Sequence, residues 1–185
     1  MSPLTGIGTR VSDGEIARVR AYSRQRKETS VTYSNSLTKA LADHGIPYEL
    51  LEHPRTDRAV DEAAVLGLEP QDVAKTIVLA SGERNVRVVL PASERIDMHK
   101  LRELLETGKE LHLLTEEQLE REYGEFELGA VPPVGGADDE VIIDHRIAAR
   151  RNVVFEAGDH DHSVRIDASD LVSFAGGRVA DVCAD

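Results

Sequence analysis

The sequence predicts an α+β domain: a single mixed, largely antiparallel sheet that curls toward a barrel and is flanked by helices. Three observations carry that expectation. Helix-spaced apolar positions dominate the first half of the chain, strand-like runs dominate the second, and the connections are short throughout. With 185 residues the chain is long enough for one core of ordinary size and short for two, and no internal repeat or low-complexity tract interrupts it. The expected organisation is a basic N-terminal extension over residues 1–31, flexible or partly helical, followed by a compact domain over 32–185.

Residues 1–12 carry glycine, serine and threonine without periodicity, and a polar helix is expected over 13–27. Ser34 is placed to cap a helix whose apolar positions Leu37, Ala40 and Leu41 recur at helical spacing and which Gly45 ends. Residues 46–51 read as a strand with Pro47 near its start, where a missing donor is tolerated. Thr56 and Asp57 are capping candidates for a helix over 58–66 that Gly67 stops. The runs 74–80 and 86–90 flank a turn at 81–84 and form an antiparallel hairpin that ends at Pro91. Helix signals return over 97–105. Thr115 and Gln118 have the spacing of a capping box that opens a helix closing at Gly124. A loop dense in glycine and proline spans 129–136, and three strand-like runs follow at 140–144, 152–156 and 162–166.

Composition narrows the function classes. Hydrophobic residues make up 41%, charged residues 30%, and tryptophan is absent, which describes a soluble, hydrophilic globular protein. No apolar stretch approaches the roughly 20 residues of a membrane span, and the N-terminus lacks the apolar segment of a signal peptide, so a cytoplasmic location and no membrane partner are expected. The formal charge of −12 argues against broad, non-specific nucleic-acid binding, DNA included, but not against gripping one nucleotide at a strand end. Residues 1–31 hold six basic side chains against three acidic ones, so the extension is either a solvated tail or an arm that touches RNA or a partner. The acidity of the remainder fits a salt-adapted host or a simple solubility preference. The lone Cys183 excludes an internal disulfide and, so near the end, argues against a catalytic thiolate.

Three elements are candidates for a site. Lys75 shares one strand face with Ile77 and Leu79, and an ammonium costs several kcal/mol to desolvate without a partner. It therefore either sits at a cavity mouth facing a phosphate or carboxylate, or snorkels to water. The 129–136 loop combines stiff prolines with glycines that permit close approach, so it either presents backbone groups to a ligand or merely connects. In Gly158-Asp159-His160-Asp161-His162 both imidazoles have the parity of Val164 and Ile166, with Asp161, Ser163, Arg165 and Asp167 facing outward. Core histidines are one reading. A metal site is another, with His160, His162, Asp159 or Asp161 and a further ligand from His145, Asp144 or His53.

Read together, Tyr48-Glu49-Leu50-Leu51-Glu52-His53, Leu66-Gly67-Leu68, 73–79, 86–91, Gly129-Ala130-Val131-Pro132-Pro133, Ile142-Ile143-Asp144 and 158–162 resemble the YbaK and prolyl-tRNA synthetase editing-domain family of trans-acting aminoacyl-tRNA deacylases. The likeness runs from about Leu37 to Phe174. It implies that Lys75 meets the phosphate and ribose of the terminal adenosine, that the G-x-x-x-P loop meets the aminoacyl group, and that Gly158 and His162 form the pocket floor. On that basis Lys75, Gly129, Pro133 and His162 are assigned to the reaction, and Ala130, Val131, Pro132, Asp144, Gly158 and His160 to the substrate pocket. The implied reaction is hydrolysis of the aminoacyl ester of mischarged tRNA by positioned water with backbone oxyanion stabilisation, without metal or cofactor. The implied substrate is a small amino acid such as alanine on proline tRNA, and an aminoacyl-tRNA synthetase is a second partner. Two rivals remain at this stage: a metal-dependent hydrolase using His160 and His162, and a non-catalytic module that binds tRNA or a synthetase.

Overall fold

The computed structural model describes residues 33–176 and 178–185, so the N-terminal extension and the helix expected over 13–27 lie outside the described residues. Helix α1 (Ser36–Asp43) is capped by Asn35 rather than Ser34. Asn35 accepts from the Thr38 N–H while the Thr38 hydroxyl reaches back, a capping box that Ser34 is one residue too early to make. Strand β1 (Glu49–Glu52) follows. Helix α2 (Ala59–Leu66) starts at Arg58 with no side-chain cap, so neither Thr56 nor Asp57 plays the expected part, and Gly67 closes it in the left-handed conformation.

Strands β2 (Ala74–Ser81) and β3 (Arg84–Pro91) form the expected hairpin, with Ser81 opposite Arg84. Asp97 caps α3 (Met98–Leu104) by accepting from the N–H groups of His99 and Lys100, and the Thr115–Gln118 box opens α4 (Glu116–Tyr123) with Gly124 at its end. Between them β4 (Leu111–Leu113) joins the outer edge of β2. The last third contains β5 (Glu140–Asp144), α5 (His145–Ala148), β6 (Asn152–Glu156), β7 (His162–Asp167), α6 (Ala168–Phe174) and β8 (Arg178–Ala180). Strands β4 and β8 and helix α5 span three or four residues, too few to display a period, and they and α6 escaped the sequence reading.

The fold is the expected mixed α and β class, and four of the six ladders are antiparallel. The described strands are shared between two sheets, β1-β7-β6 and β4-β2-β3-β5-β8, rather than one, and do not close into a barrel. The sheets meet at a single bridge, Val73 with Val154, where the Val154 N–H also donates to the Asp72 carbonyl. One contact cannot extend into a ladder, so the curl stops there. Apolar residues cover both faces of the larger sheet. Leu79, Val86, Val88 and Leu90 pack with Leu101, Ile142 and Val182, whereas Val78 and Ala80 pack with Leu114, Tyr123, Phe126 and Val131. A third cluster, Leu51, Ala63, Val73, Ala92 and Val154, seats α2 beside the start of β2. Among the described residues no helix is long and apolar enough to cross a membrane.

Candidate active site

A cavity of about 330 Å³ lies where the start of α2, the start of β2, the glycine-proline loop and the end of β6 converge. Lys75, Thr76, Gly129, Val131, Pro133 and Glu156 line it, together with residues 57–60 at the entrance to α2.

Lys75 is partly buried on the face that Ile77 and Leu79 close with apolar packing. Its ammonium donates to the carbonyls of Glu94 at 2.6 Å and Ala92 at 3.1 Å. An ammonium carries three donors, and the two carbonyls take two of them. Burial pulls its pKa below the usual lysine value.

The loop is positioned by a residue that sequence reasoning passed over. Arg87, 1% exposed, projects from β3 and donates to the carbonyls of Pro132 at 2.9 Å and Ala137 at 3.3 Å and to the Asp139 carboxylate at 2.7 Å. Tyr123 donates to the same carboxylate at 2.8 Å, and the guanidinium lies 5.2 Å from its ring centroid. A lone arginine inside Val86-Arg87-Val88-Val89-Leu90 was the signal, the same one that singled out Lys75. Gly129 adopts φ 91°, which a side chain would strain, and turns the chain so that Gly129, Val131 and Pro133 reach the cavity. Ala130 and Pro132, grouped with the pocket by resemblance, lie outside its lining: Ala130 is fully buried and Pro132 is engaged by Arg87.

The two histidines separate. Strand β7 begins at His162, so His160 sits in the preceding bend, 5% exposed, and approaches the loop. Its Nδ1 is 2.7 Å from the Glu156 carboxylate and its Nε2 is 3.0 Å from the Leu128 carbonyl, adjoining Gly129. His162 pairs across β1 with Glu52, its Nδ1 lies 3.0 Å from Asp159, and it is absent from the cavity lining. Ser163, expected to face outward, is fully buried and donates to Glu62 while its oxygen lies 2.9 Å from His53 Nε2. Glu62 of α2 reaches Ser163, so at this point the second face of β7 is covered by a helix rather than by water.

Glu156 was the other residue missed. It closes the apolar run Val153-Val154-Phe155 and lines the cavity together with Lys75 and the loop. Burial raises its pKa to about 7 against the opposing effect of His160. Burial alone would lower His160, but its bonds to Glu156 and Leu128 outweigh this and leave it raised.

Asp144 and Gly158 serve the fold instead of the cavity. The buried Asp144 carboxylate caps α5, pairs with Arg146 and accepts from the Val182 N–H. A side chain at Gly158 (φ 111°) would place Cβ 2.6 Å from the Phe126 ring. The metal reading finds no convergence on its histidines. Both nitrogens of His160 are engaged as described, and His53 meets Ser163 and the Pro54 carbonyl. Among the described residues the group close enough to share an ion is Asp144, His145 and Asp181, which contains neither His160 nor His162. Arg146 already bridges its two carboxylates.

Residues 53–174 match the model of the aminoacyl-tRNA editing domain family. No curated protein matches the chain. Among solved structures, that of a proposed trans-editing enzyme for prolyl tRNA synthetase superposes with a TM-score of 0.74 at 24% identity, covering 83% of this chain and 100% of that one. The hypothetical protein APE2540 does so with a TM-score of 0.74 at 22% identity, covering 81% and 100%. At these identities the structures speak for the fold, and the family match, which spans about two thirds of the sequence, speaks for descent: this chain belongs to the aminoacyl-tRNA editing domain family.

Proposed function

We propose that this chain hydrolyses the ester between a wrongly attached small amino acid and the terminal ribose of a tRNA. The observation that supports this most is the gathering of Lys75, Gly129, Val131 and Pro133, distant in sequence, around one cavity. The family assignment supports the substrate class, and the trans-editing enzyme that shares the fold supports proline tRNA. A volume of about 330 Å³ lies within the roughly 300–1,000 Å³ of ligand pockets. Such a pocket answers a real need, since one methylene gives a synthetase only about 1–3 kcal/mol of discrimination.

In this reading Lys75 anchors the phosphate and ribose of the terminal nucleotide. The prolines have no N–H, and the Ala130 N–H is committed to the Glu127 carbonyl, so Gly129 and Val131 supply the oxyanion donors. An activated ester needs little beyond that and a positioned water. Purified chain incubated with a panel of mischarged tRNAs tests the proposal. Release of a small amino acid, undiminished by a chelator, is expected. Loss of activity with chelator that zinc restores would favour a metal hydrolase, and tight binding without turnover a recognition module.

A further inference from the structure

Resting on that reading, we infer that Glu156 is the general base of the deacylation and that His160 is the positioning residue that holds it. Glu156 and Asp57 are the carboxylates that line the cavity. Asp57 stands at the rim, its side chain 85% exposed beside Arg55, whereas the Glu156 side chain is 14% exposed.

The hydrogen-bond chain constrains the protons. The Leu128 carbonyl can only accept, so the Nε2 of His160 that faces it at 3.0 Å carries hydrogen. Two bare lone pairs cannot face each other at 2.7 Å, so the contact between His160 Nδ1 and Glu156 Oε1 contains a proton held by one partner or the other. A carboxylate beside an imidazolium is one form of this pair, and its second oxygen is the basic atom offered to the cavity. The same imidazole that orients the carboxylate also ties down the peptide before Gly129, whose missing Cβ would lie 3.6 Å from His160 Cε1. Base and proposed oxyanion donors are therefore set against one rigid ring, the orientation by a third group that acyl-transfer sites require.

The step balances as follows. Glu156 Oε2 removes a proton from water as its oxygen bonds to the ester carbonyl carbon, and the C=O pair moves to the oxyanion held by Gly129 and Val131. Collapse of that intermediate breaks the bond from carbon to ribose oxygen, and the proton on Glu156 passes to the departing oxygen. Free amino acid, tRNA and the starting carboxylate result. Around Glu156 are His160, Asp159 and Glu127 and, from α2, Glu62, while Lys75, Arg58 and Asp57 are the other charged residues that line the cavity. Burial, helped by Asp159 and Glu127, raises the carboxyl to about 7, so kcat should rise with pH through that region.

The test is Glu156→Gln, which keeps the bond to His160, assayed on the mischarged tRNA that wild type turns over best. Expected are a loss in kcat of at least about 100-fold, KM within about twofold, and an acidic limb absent from the residual kcat profile. Glu156→Asp carries the test if glutamine costs the fold, with kcat about tenfold down and the limb retained. Unchanged kcat in either variant overturns the assignment. So does a loss confined to KM with the pH limb intact, which would make Glu156 a contact for the substrate's ammonium. A wild type that turns over no mischarged tRNA overturns the deacylase reading itself, and this assignment with it.

Discussion

Two clusters of buried charge differ in how their charges are met. Around Asp144, burial would raise the carboxyl pKa, but the N–H groups of Val182 and Arg146 and the Arg146 guanidinium outweigh it and hold the group below its ordinary value. Arg146 then reaches Asp181, and Lys100 bridges Asp181 and Asp185. Around the cavity the balance is reversed. Burial wins at Glu156 and at Glu62, which is fully buried with one oxygen taken by Ser163 and the other without a partner among the described residues. Both kinds of cluster look alike in sequence, as aspartates, glutamates and histidines near strand ends. What separates them is compensation: a carboxylate surrounded by donors holds the fold together, and one left short of them keeps a proton that chemistry can use.

Breaking the compensated cluster should have the largest effect. Asp144→Ala removes a helix cap and strands the Val182 N–H, and about 2–4 kcal/mol of unfolding free energy should go with it in a denaturant titration. An unchanged midpoint would mean that the cluster is not structural. At the cavity, Lys75→Ala should lower deacylation by at least about tenfold, about 1.4 kcal/mol of barrier, read in single-turnover assays on mischarged tRNA. Full activity would remove Lys75 from the site and leave its two carbonyl bonds as its whole purpose.

Glu62→Gln sharpens the contrast most gently. Its folded pKa of about 8 stands above the ordinary 4.5, so between those values the folded chain holds a proton that the unfolded chain has released. Stability therefore falls as pH rises through that window, on the order of 1 kcal/mol per unit. Thermal unfolding of the glutamine variant across the same window should show a flatter dependence. The same slope in both proteins would place the cost elsewhere.

Much of this is legible in the sequence alone. The hairpin, the Thr115 capping box and the stop at Gly67 depend on residues within a few positions of one another, and each is where local chemistry puts it. The parity that set Lys75 beside Ile77 and Leu79 is equally local. The histidines were harder, because parity is defined only within a strand and β7 starts after His160. Ser163 was misread since the face expected to meet water is covered at that point by Glu62 of α2. Arg87 and Glu156 each carried a visible mark, a charge in or at the end of an apolar run, but their partners Asp139 and His160 come from outside their own strands.

By itself, then, the order of residues determined the class of fold, most element boundaries and the segments from which a site had to be built, because those follow from periods, caps and turns that a short stretch of backbone enforces. Which charges are compensated, which imidazole meets the loop, and where β6 and β2 come close enough to enclose a cavity were decided only in three dimensions. Desolvation and hydrogen bonding depend on the atoms that surround a group, and for Glu156 and Asp144 alike those atoms arrive from segments far away in the chain.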